Sequence, residues 1–240
     1  MSPAILVVFY AALASPPDAI DPEQLLRRAP AIIVAQIEKQ PNYACVQKAE
    51  RDFWMPPQSG AWRHASCNAM LDRWSKSRPS GMRLYARDRL RFDVAVIGGE
   101  EMLSWPGEDM FQQDLTRELV AGGSLGTGDF GSFLISVFTS GAASVSYEGE
   151  ETQNGRELAR YSFLVNLENS AYLVRAGSDY VPTAYEGAFY IDRASAELVK
   201  MDVRSRDIPT ETGLCQTRTI IDYEKVDLSG RRFLLPRSRS

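Results

Sequence analysis

Residues 145–166 read VSYEGEETQNGRELARYSFLVN, and this stretch decides the fold. Two runs with strand-like alternation, Val145 to Glu151 and Glu157 to Asn166, flank Asn154-Gly155. Asn-Gly is the strongest two-residue hairpin signal, because both central residues of a type I′ turn must take positive φ. Outward from this hairpin the same grammar repeats. Tyr172 to Arg175 reads as a further short strand. Gly187 to Asp192 is expected to pair with Glu197 to Arg204, and Arg218 to Asp227 with Arg232 to Leu235 across Ser229-Gly230. Sequential hairpins need no crossover helices, so the strands form an antiparallel meander.

Toward the N-terminus, Leu90, Phe92, Val94 and Val96 alternate with Arg89, Arg91, Asp93 and Ala95, giving a strand with one face in a core. Gly98-Gly99 turns it back into Glu101 to Trp105. Tyr43 to Trp54 is another extended strand, and Met55 to Gly81, rich in Pro, Ser, Gly and Arg, reads as a surface excursion with a short helix around Asn68 to Trp74. Leu25, Leu26, Ala29, Ile32, Ile33, Gln36 and Ile37 recur near a period of 3.6, which predicts an amphipathic helix over Asp21 to Gln40. Asp21 supplies its N-cap, Pro22 its first turn, and Pro30 is expected to kink it. Shorter helices are expected over Asp109 to Ala121 and along Phe130, Phe133, Leu134, Val137 and Phe138. A sheet of about nine or ten strands left flat would expose a long apolar face, so it should curl and take a helix against its inner surface. The predicted class is therefore α+β: an incurved antiparallel sheet, a half-barrel meander, wrapping the N-terminal amphipathic helix, with the short helices as a lid.

The composition bounds the function. The chain has 240 residues, 44% hydrophobic and 24% charged, enough to bury a real core. With 27 Lys+Arg against 31 Asp+Glu and a pI near 5.2, it lacks the basic footprint of a nucleic-acid binder. A single histidine, His64, beside three cysteines leaves too few soft ligands for a Cys/His zinc site and removes most histidine-centred catalysis. No cofactor and no catalytic or metal-ligating residue is assigned.

Ala4 to Ala14 is apolar throughout and ends in Ala12-Leu13-Ala14, as a secretory h-region and its cleavage site would. It is shorter than the roughly 20 residues of a spanning helix, and no later stretch comes closer. Residues 1–14 are thus expected to be a signal peptide, although Met1-Ser2-Pro3 carries no Lys or Arg, and the protein to be periplasmic or secreted. Residues 15–240 then form one domain. In that compartment Cys45 and Cys67 can close a loop of about 20 residues, which leaves Cys215 over; a buried free thiol is the alternative for each cysteine.

Three catalytic patterns share one glycine cluster and fail the context their chemistry needs. Gly122-Gly123-Ser124-Leu125-Gly126 spells a nucleophile elbow, but no histidine follows His64. Gly126-Thr127-Gly128-Asp129-Phe130-Gly131 spells a phosphate-binding loop without the strand and βαβ unit around it, and Asp129-Phe130-Gly131 lacks the rest of the kinase motifs. A helix-to-helix turn capped by Asp129 explains all three. Glu148, Glu150, Glu151 and Glu157 would serve glycoside chemistry only if a cleft joined two of them, and on a hairpin they read as a solvated face. Arg83, Arg87, Arg89 and Arg91 form a basic stripe that Asp88 and Asp93 dilute, here read as a solvent-facing strand edge.

Gln40-Pro41-Asn42-Tyr43-Ala44-Cys45, Asp88 to Val96, Ser104-Trp105-Pro106-Gly107, Gly126 to Phe130, and Ile221-Asp222-Tyr223 through Phe233-Leu234-Leu235-Pro236 together resemble a group of uncharacterised bacterial envelope proteins of acidobacterial type. The ending also resembles the periplasmic outer-membrane lipoprotein carriers, the LolA-like fold. That resemblance implies an incurved antiparallel sheet around helices, with an apolar hollow for the acyl chains of a lipoprotein. It also implies a further C-terminal strand, and with it a partner for Cys45. It maps no acyl-binding residue one by one.

The function expected on these grounds is a non-enzymatic envelope protein that binds or carries a lipid or acylated-protein ligand in a concave apolar sheet. The residues expected to line the hollow are Trp105, Phe130, Phe133 and Phe138 near its mouth, with Tyr161 and Phe163 assigned to opposite sheet faces so that only one contributes. The alternative is an interaction module with a filled core that docks another envelope protein. A hydrolase using carboxylates would require two buried acids with raised pKa in one cleft.

Overall fold

The computed structural model describes residues 20–57, 65–76, 82–98, 100–111, 132–139, 141–176, 179–228 and 230–237. Outside these lie the expected signal peptide, His64, the glycine cluster with Phe130, and most of the helix expected over Asp109 to Ala121.

The amphipathic helix forms as α1, Pro22–Glu38, and runs through Pro30. Asp21 caps it: a side-chain oxygen accepts from the Gln24 N–H at 3.2 Å while Pro22 fills the first position, where no N–H is needed. Leu25, Ala29, Ile33 and Ile37 are its buried stripe. Among the described residues the other helices are α2, Cys67–Lys76, and α3, Ser132–Thr139.

The strands are antiparallel, as the hairpins require, but they divide into three sheets rather than one meander. β1 (Tyr43–Met55), β2 (Arg83–Ile97) and β3 (Glu100–Ser104) form the first, in that order. The second holds β4 (Ala143–Gln153), β5 (Arg156–Val165), β8 (Ala184–Asp192), β9 (Leu198–Arg206), β10 (Arg218–Leu228) and β11 (Arg231–Arg237), ordered β11-β10-β9-β8-β5-β4. Among the described residues β6 (Leu173–Ala176) and β7 (Asp179–Pro182) pair only with each other. The reason for the split is local. After β5 a single 3-10 turn at Leu167–Asn169 diverts the chain into the β6–β7 hairpin, and β8 then returns to pair with β5, Tyr161 opposite Phe189.

The hairpin at Asn154-Gly155 is in place, with φ of 52° and 75° at the two turn residues. α1 packs on the six-stranded sheet: its buried stripe joins Tyr161, Phe163, Val165, Tyr185, Phe189, Ile191, Met201 and Val203, together with Leu134 and Val137 of α3. The helix is also tied at both ends. The Tyr161 hydroxyl donates to the Pro22 carbonyl at 2.7 Å, and Gln40 Nε2 donates to the Leu234 carbonyl at 3.1 Å. A smaller core, Phe92, Val94, Val96, Leu103 and Leu235, joins the three-stranded sheet to β11.

The disulfide joins Cys67 to Cys215, and Cys45 is the free thiol, so the expected Cys45–Cys67 loop does not form. The physical reason is spatial. Cys45 faces the smaller core from β1, whereas Cys67 opens α2 beside the loop that leads into β10. The cross-link spans a sequence separation of 148 residues.

Candidate functional site

The residues expected to line a hollow fall in different places. Tyr161 and Phe163 stand on the same face of β5, both buried, which corrects their assignment to opposite faces: residues two apart on a strand point the same way. Phe138 joins them, because all three rings surround Phe189. Tyr161 stacks on Phe189 at a centroid distance of 5.1 Å, Phe138 meets it edge-on at 4.9 Å, and Phe163 lies at 6.3 Å. This is packed core beneath α1. Burial, with the Tyr147 and Asp21 charges adding to it, pushes the Tyr161 phenol up to about 12. Trp105 is apart from this group, 38% exposed and tilted against Phe92 at 5.3 Å in the smaller core. Phe133 belongs to α3, but its side chain, like the whole of Phe130, lies outside the described residues.

Two cavities flank β11 instead. The larger, about 380 Å³, lies between α1 and the sheet edge and is lined by Ile32, Ala35, Gln36 and Lys39 of the helix and Arg231, Arg232 and Phe233 of β11. It exists because α1 crosses the last strand with a second stripe beside its buried one. Ile32, Ala35, Gln36 and Lys39 follow the i, i+3, i+4, i+7 spacing of one helix face. The floor is apolar: Phe233 is buried and Ile32 half-buried. The rim is cationic. Among the described residues Lys39, Arg231 and Arg232 make no ion pair, and the Arg231 guanidinium lies over the Phe233 ring at 5.9 Å. Asp227 stands opposite Arg232 in the strand register, but its carboxylate accepts from the Gly230 N–H at 2.8 Å. Gln36 Oε1 is buried and accepts no hydrogen bond among the described residues.

The second cavity, about 230 Å³, lies between the edge strand β1 and the end of the six-stranded sheet, with Tyr43, Cys45, Val46, Val226, Leu228 and Leu235 among its lining. Burial raises the Cys45 thiol above its ordinary range, and the nearby Glu101 adds to the shift.

Three of the four carboxylates considered for hydrolysis are engaged on the surface of the β4–β5 hairpin. Glu148 accepts from Ser162 at 2.7 Å, Glu150 pairs with Arg193 at 2.7 Å, and Glu157 accepts from Thr152 at 2.7 Å. Two arginines of the basic stripe are matched across the ribbon, Glu50 with Arg89 and Asp52 with Arg87, while Arg51 pairs with Asp88; all three pairs sit at register positions. Among the described residues no cluster of three or more His, Cys, Asp or Glu side chains is placed to hold a metal, and no helix is long and apolar enough to cross a membrane.

Sequence reasoning missed the cavity between α1 and β11, although Ile32 and Gln36 were already counted into the amphipathic stripe. The signal was present in the width of that stripe together with the Arg231-Arg232-Phe233 run that opens β11. Compared with protein-family profiles, curated proteins and solved structures, the chain matches none.

Proposed function

We propose that this protein is a non-enzymatic exported protein that binds a hydrophobic ligand, a lipid or an acylated protein, with its six-stranded sheet bent around α1 as a half-barrel. The carrying observation is the cavity of about 380 Å³ floored by Ile32, Ala35 and Phe233, within the roughly 300–1,000 Å³ of small-molecule sites. The aromatic cluster around Phe189 fills the space beneath the helix, so the ligand is assigned beside α1 rather than under it. The Cys67–Cys215 disulfide is consistent with an oxidising compartment, as export requires.

A neutral naphthylamine fluorophore tests the reading. It should brighten on adding the protein, and Ala35→Trp, which fills the cavity from the helix side, should abolish the response while the far-ultraviolet circular dichroism stays unchanged. No brightening, or brightening that Ala35→Trp leaves intact, would contradict the assignment.

A second reading, an envelope interaction module, is favoured by one feature. Trp54, Met55, Leu84 and Tyr85 are exposed at the far end of the β1–β2 ribbon, with Trp54 opposite Leu84 and Met55 opposite Arg83. Cross-linking in envelope extract should then give an adduct that Trp54→Ser with Tyr85→Ser removes.

A further inference from the structure

We propose that the ligand carries an anionic head group, a carboxylate or a phosphate ester, held by Lys39, Arg231 and Arg232 while its apolar body rests on Ile32, Ala35 and Phe233. This rests on the binding role argued above and adds the chemical class of the ligand.

Three features meet at one cavity. The first is charge without a partner: among the described residues these three cations make no ion pair, although Arg27 on the helix, Arg87 and Arg89 on the ribbon, and Arg218, Lys225 and Arg237 on the six-stranded sheet or its edge each have one. Charged side chains along an edge strand also guard against edge-to-edge pairing, and a purely protective role would need no cavity behind them. The second is the cavity itself, which sets an apolar floor directly against that rim. The third is Gln36, whose buried amide oxygen has no partner among the described residues. A side-chain amide has a donor end as well as an acceptor end, so turning it offers an N–H to an oxyanion at the boundary between rim and floor. A carboxylate or phosphate accepts two parallel bonds from one guanidinium, and charge-assisted bonds of this type are roughly twice as strong as neutral ones. A fully apolar ligand would use the floor and leave all these donors in water.

The experiment is isothermal titration of the full chain with four probes below their aggregation limits: dodecanoate, dodecyl phosphate, dodecanol and inorganic phosphate. The prediction is that the two charged amphiphiles bind about tenfold or more tightly than dodecanol. That advantage should shrink as salt rises. Arg231→Gln with Arg232→Gln should erase the advantage of the charged amphiphiles over dodecanol. Lys39→Gln, at the exposed C-cap of α1, gives the same readout should the strand variant fail to fold. Equal binding of dodecanol and dodecanoate would overturn the head-group assignment while leaving the binding role intact. Inorganic phosphate binding as tightly as dodecyl phosphate would overturn it too, because the apolar body would then contribute nothing. No binding of any alkyl probe would remove the binding role and this inference together.

Discussion

Gly187 sits opposite Phe163 on the neighbouring strand, and a Cβ built on it would lie 1.9 Å from the Asp202 carbonyl oxygen and 3.0 Å from the Phe163 ring. The first obstacle is backbone, which cannot rotate away. Gly187→Ala is therefore expected to destabilise the protein by about 1–3 kcal/mol or more, read as a lowered urea midpoint. Asp202 itself is buried and held by Arg218 at 2.6 and 2.8 Å and by Arg204 at 3.3 Å. Burial works to raise its pKa, but the Arg218 hydrogen bonds and the two guanidinium charges outweigh it and hold the carboxyl below its ordinary range. A carboxyl whose folded pKa is depressed stabilises the fold above its unfolded value of about 4, and that contribution is lost as pH falls through the folded pKa. Asp202→Asn should accordingly lower stability at pH 7 and flatten the acid limb of the stability profile below pH 4. An acid limb identical to that of the parent would contradict the pairing.

Among the elements, the disulfide gives the clearest prediction. Cys67→Ala with Cys215→Ala should cost about 2–5 kcal/mol, because the bridge closes a long loop and restricts the unfolded chain. Alkylation without reduction, followed by peptide mapping, should label Cys45 alone and recover the Cys67 and Cys215 peptides linked. Labelling of Cys45 should keep accelerating with pH through the ordinary thiol range and level off only above it, since burial raises its pKa. The β1–β2 ribbon behaves differently. Its ion pairs Arg87–Asp52 and Arg89–Glu50 are largely exposed and screened by water, so breaking either should leave the urea midpoint essentially where it is. The hairpins were legible from residues such as Asn154-Gly155, whose positive φ is a local requirement. The cysteine pairing was not legible, because 148 residues of chain separate two positions that only the packing of α2 beside the β9–β10 loop brings together.

At the scale of the whole molecule, one layer of helix on an antiparallel sheet was readable from the sequence. The periodic stripe of α1 and the alternating strands each needed the other to bury an apolar face. The division into three sheets was not, since it depends on a single 3-10 turn after β5 and on β8 choosing β5 rather than β7. The aromatic cluster illustrates both sides. The strand period alone puts Tyr161 and Phe163 on one face, yet their shared partner Phe189 comes from a strand more than 20 residues further on. Because Tyr161 also donates to the Pro22 carbonyl, Tyr161→Phe should loosen the start of α1 and cost about 0.5–1.5 kcal/mol. Hydrogen exchange should show that loss as faster opening confined to the first turns of the helix.

The central claim is that α1 and β11 together form the ligand site. Amide chemical-shift mapping of the full chain during a dodecanoate titration tests it most directly. Saturable shifts at Ile32, Ala35, Gln36 and Lys39 together with Arg231, Arg232 and Phe233 are the result predicted. Shifts centred on Trp105 and Phe92, or none that saturate, would contradict it.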